Sequence, residues 1–424
     1  RDLESGKEVN GDTIFGLASV TKSFTALSIM QLEEKGMIDL DAPISQYIPE
    51  FTNKNQSKKV TVRHLLSHAG GFFPLPRILV GNVAESLGLD EEKDGDFAYN
   101  DAVAQEGVKL VAERLDAQTK ENGLNGQPGE YLSYCNDGFG LLSDIIRRYG
   151  GEPSYADYLV KHVLKPLGME RSFCDFVRPS KDENAATLYK KVDGVMRGSR
   201  DYHDNAFVLN GGGAMKSTLN DLKKYLGMYL NLGKAADGTR ILSEYGVREM
   251  CKPRQAYGAF GNYGYGVSMK QLDDLKVIEH GGALPGVSSN IAWSYEAEAA
   301  VIVLCNTSNV PVSLISNAMM KAYNGKNPIE KRDVWQITPW SEETIAAASG
   351  VYSSGEGTTA ELYRKADGTI GAREEGVEKN IIPVSPYTAI IRNKYSDLFI
   401  RLIFNEERGI YAMAYGSRLI PKSK

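Results

Sequence analysis

Phe15-Gly16-Leu17-Ala18-Ser19-Val20-Thr21-Lys22-Ser23-Phe24-Thr25 decides how this chain is read. Ser19 and Lys22 stand three residues apart, so on a helix they share a face. The run Thr13–Ala18 is largely apolar and leads straight into Ser19. Val20, Phe24, Leu27, Met30 and Leu32 then follow at helical spacing, and charge enters only at Glu33-Glu34-Lys35. Gly36 is a C-terminal stop signal. The stretch predicts a mostly buried helix, with residues 12–46 covering it and its exit turn. An amine kept from water loses its proton more easily, because burial disfavours charge. Neutral Lys22 can then take the proton of Ser19 and make it a nucleophile. A serine–lysine pair of this kind is an alternative to the serine–histidine–aspartate arrangement. Ser19 also reads as an N-cap. The two readings coexist, since a helix N-terminus favours developing negative charge on oxygen. S-x-x-K alone is weak, being expected about once by chance in such a chain, so context must carry the assignment.

The chain has 424 residues, 42% of them hydrophobic, which supports a full core and more than one domain. The net charge of −5 offers no basic field for nucleic acid. No apolar run approaches the length of a bilayer span. Cys135, Cys174, Cys251 and Cys305 lack paired spacing and read as free thiols, which leaves the redox compartment open. The five histidines show no metal-ligand spacing, so no metal site and no cofactor is expected. Arg1–Lys7 reads as a strand running into a turn, so the expectation is that an element precedes it.

Thr61–His68 reads as a short helix ending at Ala69-Gly70-Gly71, its two histidines structural. Residues 72–126 read as an irregular, partly helical excursion, with the acidic run Glu91–Asp96 a solvated loop. Asp137–Tyr149 and Tyr155–Leu167 read as helices. Gly211-Gly212-Gly213 is a bend before the helix Leu219–Leu232; no following Gly-Lys-Ser/Thr supports a phosphate cradle. Tyr263–Lys270, Leu275–His280, Ser289–Ser294 and Ala300–Cys305 read as strands of an antiparallel sheet, covered by a helix at Ser313–Tyr323. Pro328–Pro339 reads as a linker. Beyond Ser341 an Asp367-Gly368 hairpin signal and alternating strands at Thr388–Arg392, Leu398–Phe404 and Ile410–Tyr415 predict a small all-β sandwich or barrel.

Two further motifs stand in the order that an S-x-x-K enzyme needs. In Tyr134-Cys135-Asn136, a phenol beside Lys22 is either held as phenolate or relays a proton to the leaving group. Asn136 is expected to orient Lys22 and to donate to a substrate carbonyl. His280-Gly281-Gly282 closes a strand, and its glycines are expected to let a substrate backbone approach. The N–H groups of Ser19 and Ala283 would then form an oxyanion hole.

With these motifs the chain resembles serine β-lactamases and penicillin-binding proteins, most closely the class C-like group that also holds D-aminopeptidases, D-alanyl-D-alanine peptidases and certain esterases. Phe15–Thr25, Gly36–Ile44, Thr61–Gly71, Tyr134–Asn136, Gly211–Gly213 and His280–Gly282 carry the resemblance, which covers roughly residues 1–325. It implies an α+β fold (an α/β sandwich): an antiparallel sheet flanked by helices, within a hydrolase domain at 1–327. A helical subdomain would be inserted at about 47–210. A linker at 328–341 would lead to a lipocalin-like β domain at 342–424, which covers the cleft or mediates assembly. Ser19 would be acylated, Lys22 and Tyr134 would form the base system, and Asn136, His280 and Gly282 would bind substrate. Histidine stands where many β-lactamases and carboxypeptidases carry the lysine of Lys-Thr/Ser-Gly. A largely neutral imidazole grips a substrate carboxylate less well, which shifts weight toward aminopeptidase, amidase or esterase. The partner expected is a small molecule or short peptide, with no nucleic acid, no membrane span and oligomerisation open. The resemblance is compatible with an extracytoplasmic location. A binding or sensor protein on the same scaffold, without turnover, is the competing reading.

Overall fold

The computed structural model describes residues 1–53, 58–120, 126–203, 206–329, 334–394 and 396–423. Helix α1 (Thr21–Glu34) is buried on every face from Thr21 to Leu32, its small polar residues included. It stops where expected. Gly36 turns left-handed at φ 67°, its N–H donates to Glu33 O, and that of Met37 donates to Leu32 O. Helix α2 (Val62–Leu66) opens on a capping box in which the Thr61 hydroxyl accepts from His64 N–H and the His64 ring accepts from Thr61 N–H.

The excursion expected to be irregular and partly helical contains the longest helix described, α3 (Asp101–Lys120). Val103, Val108, Val111, Ala112 and Leu115 form its buried stripe. Gly107 and a strongly polar outer face dilute that stripe in the sequence. Residues 121–125 of the excursion lie outside the described residues. Helix α4 (Asn136–Tyr149) packs beside α3, joined by an Arg114–Asp137 ion pair. Its Phe139, Leu142 and Ile145 share one core with Phe24 and Leu27 of α1. Helices α5 (Leu219–Leu230) and α6 (Val312–Tyr323) follow.

Six antiparallel strands lie side by side in chain order: β1 (Gln255–Tyr257), β2 (Gly261–Tyr263), β3 (Ser268–Leu272), β4 (Leu275–Leu284), β5 (Val287–Ser294) and β6 (Ala299–Cys305). The two-residue period of β5 splits its contacts. Ile291 and Trp293 face the main core, where Trp293 stacks on Tyr229 of α5, and Ala292 faces Met320 of α6. The sheet is thus sandwiched between helices.

Two expectations change here. Tyr263–Lys270 is not one strand. Gly264–Val267 leaves the ladder, because Gly266 (φ 67°) lies against the Lys22 carbonyl and donates to Leu66 O. In addition, β4 continues to Leu284, so His280-Gly281-Gly282 lies inside a strand and not at its end. Strand β3 pairs with β4 only as far as Glu279, which leaves one edge of residues 280–284 open.

Beyond a short helix at Glu342–Ala348, eight antiparallel strands follow in chain order: β7 (Gly350–Ser353), β8 (Thr359–Arg364), β9 (Ile370–Glu374), β10 (Val377–Ser385), β11 (Thr388–Arg392), β12 (Asp397–Asn405), β13 (Gly409–Tyr415) and β14 (Arg418–Pro421). The first and last strands meet where Ser423 N–H donates to Val351 O, so the sheet is a nearly closed barrel. It has its own core, including Tyr352, Leu362, Ile400 and Met413. Of the expected linker, residues 330–333 lie outside the described residues. No described helix is long and apolar enough to cross a membrane.

Burial holds the pKa of His64 down to about 4, with Lys58 adding repulsion. The unfolded chain, with an ordinary histidine pKa near 6.5, therefore binds more protons than the folded one between those values. Stability is expected to fall as pH drops through that window. His64→Gln keeps an acceptor for the capping box and removes this titration. Its melting temperature should depend less steeply on pH between about 6.5 and 4 than that of the wild type; an equal slope in thermal unfolding would refute the assignment.

Candidate active site

Ser19 sits in a single 3-10 turn, Ala18–Val20, just ahead of α1. The residue before it, Ala18, is held at φ 47°. A side chain there is strained by about 1–2 kcal/mol, so the surroundings must enforce it. Leu17 N–H donates to Met215 O, the Thr21 hydroxyl donates to Ala18 O (2.6 Å), and the Ser289 hydroxyl donates to Leu17 O (2.7 Å). The first turn bond is made by Val20 N–H to Leu17 O, one residue after Ser19. The Ser19 N–H belongs to the unsatisfied donors of a helix start.

Lys22 is wholly buried. Its Nζ donates to Gly212 O (2.7 Å) and Asn136 Oδ1 (2.8 Å) and lies 3.2 Å from Ser19 Oγ. Burial lowers its pKa well below 10.5, and the guanidinium of Arg418 lowers it further. A neutral amine has two N–H donors and one lone pair. Two acceptors take the donors, which leaves the lone pair for the Ser19 O–H. The glycine bend read in the sequence is what supplies the Gly212 carbonyl, and it is tied to α1 by the Thr25 hydroxyl on Gly211 O.

The ring of Tyr134 lies 4.8 Å from Lys22 Nζ. Burial raises its pKa, while a hydrogen bond with Ser19 pulls the other way. Of the two expected roles, phenolate and relay, this environment disfavours the phenolate. Asn136 opens α4 and turns its oxygen to Lys22 and its Nδ2 to Glu356 (3.0 Å). His280 is buried and neutral, its pKa brought down to about 3 by burial and then by Lys22. Nδ1–H donates to Gly281 O, so Nε2 accepts from the Tyr263 hydroxyl (2.9 Å). Both ring nitrogens are engaged, and the ring shapes a wall without offering a free donor.

Gly282 lines a cavity beside Ser19, and it has a packing role as well: the position of its missing side chain is filled by Leu17 O, Ser289 Oγ and Ala18 Cβ. The glycine lets the Ser19 turn press against β4, and that contact brings Ser19 and Ala283 to one place. Both residues line the two cavities that flank the hydroxyl, of about 350 and 320 Å³. Asn136, Gly212 and Leu284 border the first; Tyr134, Tyr263 and His280 border the second. Among the described residues no group of three or more His, Cys, Asp or Glu is placed to hold a metal ion.

Three neighbours escaped the sequence reading as parts of this site. His68 packs 4.0 Å from the Tyr134 ring and accepts from Cys135 N–H. Glu356 and Arg418 come from the C-terminal barrel. Arg418 lies 4.5 Å over the Tyr134 ring and donates to Glu356 (3.0 Å). A buried Leu-Leu-Ser-His stretch was a usable signal for His68. A hairpin arginine more than two hundred residues away carried none.

The sequence pattern of the beta-lactamase family matches residues 1–322. The chain belongs to the beta-lactamase family. This family groups serine hydrolases. Penicillin-binding protein 4* of Bacillus subtilis (strain 168) is 26% identical over 72% of this chain and 63% of its own length. Esterase EstB of Burkholderia gladioli is 32% identical over 44% and 45%. The chain thus spans about half to two thirds of these two relatives. The octameric penicillin-binding protein homologue from Pyrococcus abyssi aligns over 99% of this chain and 90% of its own, at 25% identity and a TM-score of 0.64. D-amino acid amidase from Ochrobactrum anthropi SV3 aligns over 72% and 79%, at 26% identity and a TM-score of 0.52.

Gly282→Ala should force the Ser19 turn off β4, an overpacking worth about 1–3 kcal/mol. A melting temperature several degrees lower is expected. Gly281→Ala, whose new carbon would meet only Asn290 Oδ1 and Ser289 O at 3.4 and 3.8 Å, should melt close to the wild type. Equal melting of both variants would contradict this account of the glycine pair.

Proposed function

We propose that this beta-lactamase-family chain is a serine acyl hydrolase that works through a covalent acyl-enzyme. The substrate is an amide in a short peptide containing a D-amino acid, or a small ester. The observation that carries the reading is the buried Lys22 Nζ held 3.2 Å from Ser19 Oγ by contacts with Asn136 Oδ1 and Gly212 O; once the amine is neutral, those two acceptors take its N–H donors and its lone pair is left for Ser19.

Ser19 Oγ attacks the substrate carbonyl carbon while its proton passes to Lys22 Nζ. The carbonyl oxygen becomes an oxyanion facing the N–H groups of Ser19 and Ala283. Collapse of the adduct breaks the carbon–nitrogen or carbon–oxygen bond, and the proton held by Lys22 reaches the leaving group through the Tyr134 hydroxyl. Water then adds to the acyl carbon and gives a proton to the same base. The serine ester breaks, releasing the acid and restoring the Ser19 hydroxyl. The esterase and amidase relatives support both substrate forms. Asn136 holds Lys22 in place throughout.

A fluorophosphonate probe should label wild-type protein and spare Ser19→Ala. Turnover of D-amino-acid amides or short p-nitrophenyl esters should vanish with the label. Protein that takes the label yet turns over none of these would instead be a binding protein on this scaffold. Lys22→Ala should label about 10²–10⁴-fold more slowly.

The pH dependence follows from the lowered pKa of Lys22. The base works when deprotonated, so labelling should reach its plateau well below the ordinary lysine pKa and decline as pH falls. A rate still climbing toward the ordinary lysine pKa would show a charged resting amine and contradict the mechanism.

A further inference from the structure

A cavity of about 860 Å³ lies between the sheet and the C-terminal barrel, more than twice the size of either cavity beside Ser19. Its volume is that of a site for a ligand of several residues, and the junction of two bodies is where such sites form. The β1–β2 hairpin, the first residues of β3 and the start of α6 make one wall. The barrel makes the other, through β11, β12 and the β13–β14 turn.

This interface cavity meets the smaller of the two cavities beside Ser19, because Tyr257 and Ser268 line both. Tyr134 lines that smaller cavity and not the other one beside Ser19. A leaving group that takes its proton through the Tyr134 phenol therefore departs on this side. Whatever extends it passes the junction at Tyr257 and Ser268 and enters the interface cavity. The Tyr257 ring packs on Tyr263 (5.7 Å), and its hydroxyl has no hydrogen-bond partner among the described residues. A polar group thus stands free where the cavities meet, as a peptide unit crossing there requires.

The interface cavity suits an uncharged, apolar group. Phe260, Trp335, Leu398 and Phe399 supply apolar faces. Phe260 is 67% exposed at the hairpin tip, yet it is held: it stacks on Trp335 (5.2 Å, 4° between planes), whose Nε1 donates to Asp397 Oδ2 (3.0 Å). The stack fixes an aromatic wall between the sheet and the segment that leads into the barrel. The charges beside it are already matched. Lys270 pairs with Glu279 (2.7 Å) and Asp397 with Arg392 (3.2 Å), and Lys394 is engaged as well. A charged group entering here would lose hydration without gaining a partner, while an apolar one gains by burial.

We propose that this cavity is the subsite for the second residue of the leaving group. The preferred substrates are then peptides in which at least two residues follow the scissile amide, the second of them aromatic or large and aliphatic. This rests on the acyl-enzyme reading above and names the leaving group for it. The barrel selects the length and the side chain of what departs.

The test uses the full chain, with the rate of fluorophosphonate labelling of Ser19 as readout. The competitors share an N-acetyl-alanyl acyl part, in a D and an L series, and all end in an amide so that no terminal carboxylate enters the comparison. The acyl part is followed by phenylalanine, glycyl-glycine, glycyl-phenylalanine, glycyl-leucine or glycyl-glutamate. In the better-bound series, the glycyl-phenylalanine compound should halve the labelling rate at a concentration about tenfold or more below that of the glycyl-glycine compound. The glycyl-leucine compound should approach it, the glycyl-glutamate compound should gain nothing over glycyl-glycine, and phenylalanine next to the scissile bond should compete less well than phenylalanine one residue further on. In F260A/W335A the gap between glycyl-phenylalanine and glycyl-glycine should shrink to about threefold or less. Circular dichroism checks that this variant is folded. If it is not, F260A alone, which trims an exposed side chain, takes its place.

A glycyl-phenylalanine compound no better than glycyl-glycine overturns the proposal. So does a glycyl-glutamate compound that matches it, an adjacent phenylalanine that outcompetes it, or a variant with an undiminished gap. Labelled protein that no peptide of either series slows overturns it too. Wild-type protein whose Ser19 takes no label overturns the acyl-enzyme reading itself, and the subsite with it, whereas a labelled Ser19 without the glycyl-phenylalanine preference removes the subsite alone.

Discussion

The burial of one amine organises this molecule. Lys22 lies inside a helix that is buried on every side, and an ammonium there would lose most of its hydration. Among the described residues no carboxylate contacts its nitrogen; beside Ser19, the acceptors it meets are a backbone carbonyl and an amide oxygen. Both suit a neutral amine. The Gly211–Gly213 bend, the start of α4 and the turn before α1 therefore have to converge within hydrogen-bond reach of one atom. Each is fixed by bonds of its own, from Thr25 to Gly211 O, from Lys22 to Asn136 and from Ser289 to Leu17 O. Tyr134 inherits the same dry environment, which keeps its phenol protonated while it keeps the amine bare.

The close approach of the Ser19 turn to β4 is the second constraint. Antiparallel pairing places His280, Gly281 and Gly282 opposite Ile291, Asn290 and Ser289. The end of β3 at the level of Glu279 frees the other edge of the strand. Only a residue without a side chain lets Leu17 and Ala18 reach that strand. The strain at Ala18 is the cost of aiming the serine, and it is borne by the packing around it.

The C-terminal barrel is a structural part of the site. It has its own core, yet its β13–β14 hairpin accepts from Tyr134 N–H at Ser417 O and donates Leu419 N–H to the Ser133 hydroxyl, and its β7–β8 turn bonds Asn136 through Glu356. Charges delivered this way sit beside the Ser19 hydroxyl without belonging to the helix-and-sheet body. The electrostatics of the cleft are therefore shared between two layers of the fold that lie far apart in the chain.

Local chemistry is what the sequence by itself determined. The mostly buried helix around Ser19 and Lys22, the glycine stop at Gly36 and the alternation of the β strands each depend on neighbours within a few residues, so they were legible. The helix at Asp101–Lys120 was not, since its buried stripe is interrupted by Gly107 and by polar residues. The packing role of Gly282 was not legible, because its neighbour is the backbone of Leu17, which only folding brings near. The tertiary structure alone decided that His280 has no free nitrogen, that His68 lies beneath Tyr134, and that Arg418 and Glu356 stand in the cleft. The partners of His280 lie one and 17 residues away, but the contacts of His68, Glu356 and Arg418 cross sixty to nearly three hundred residues of chain, and no periodicity or spacing records them. Burial, which sets the protonation of Lys22 and His280, is likewise a property of the packed whole and not of any segment.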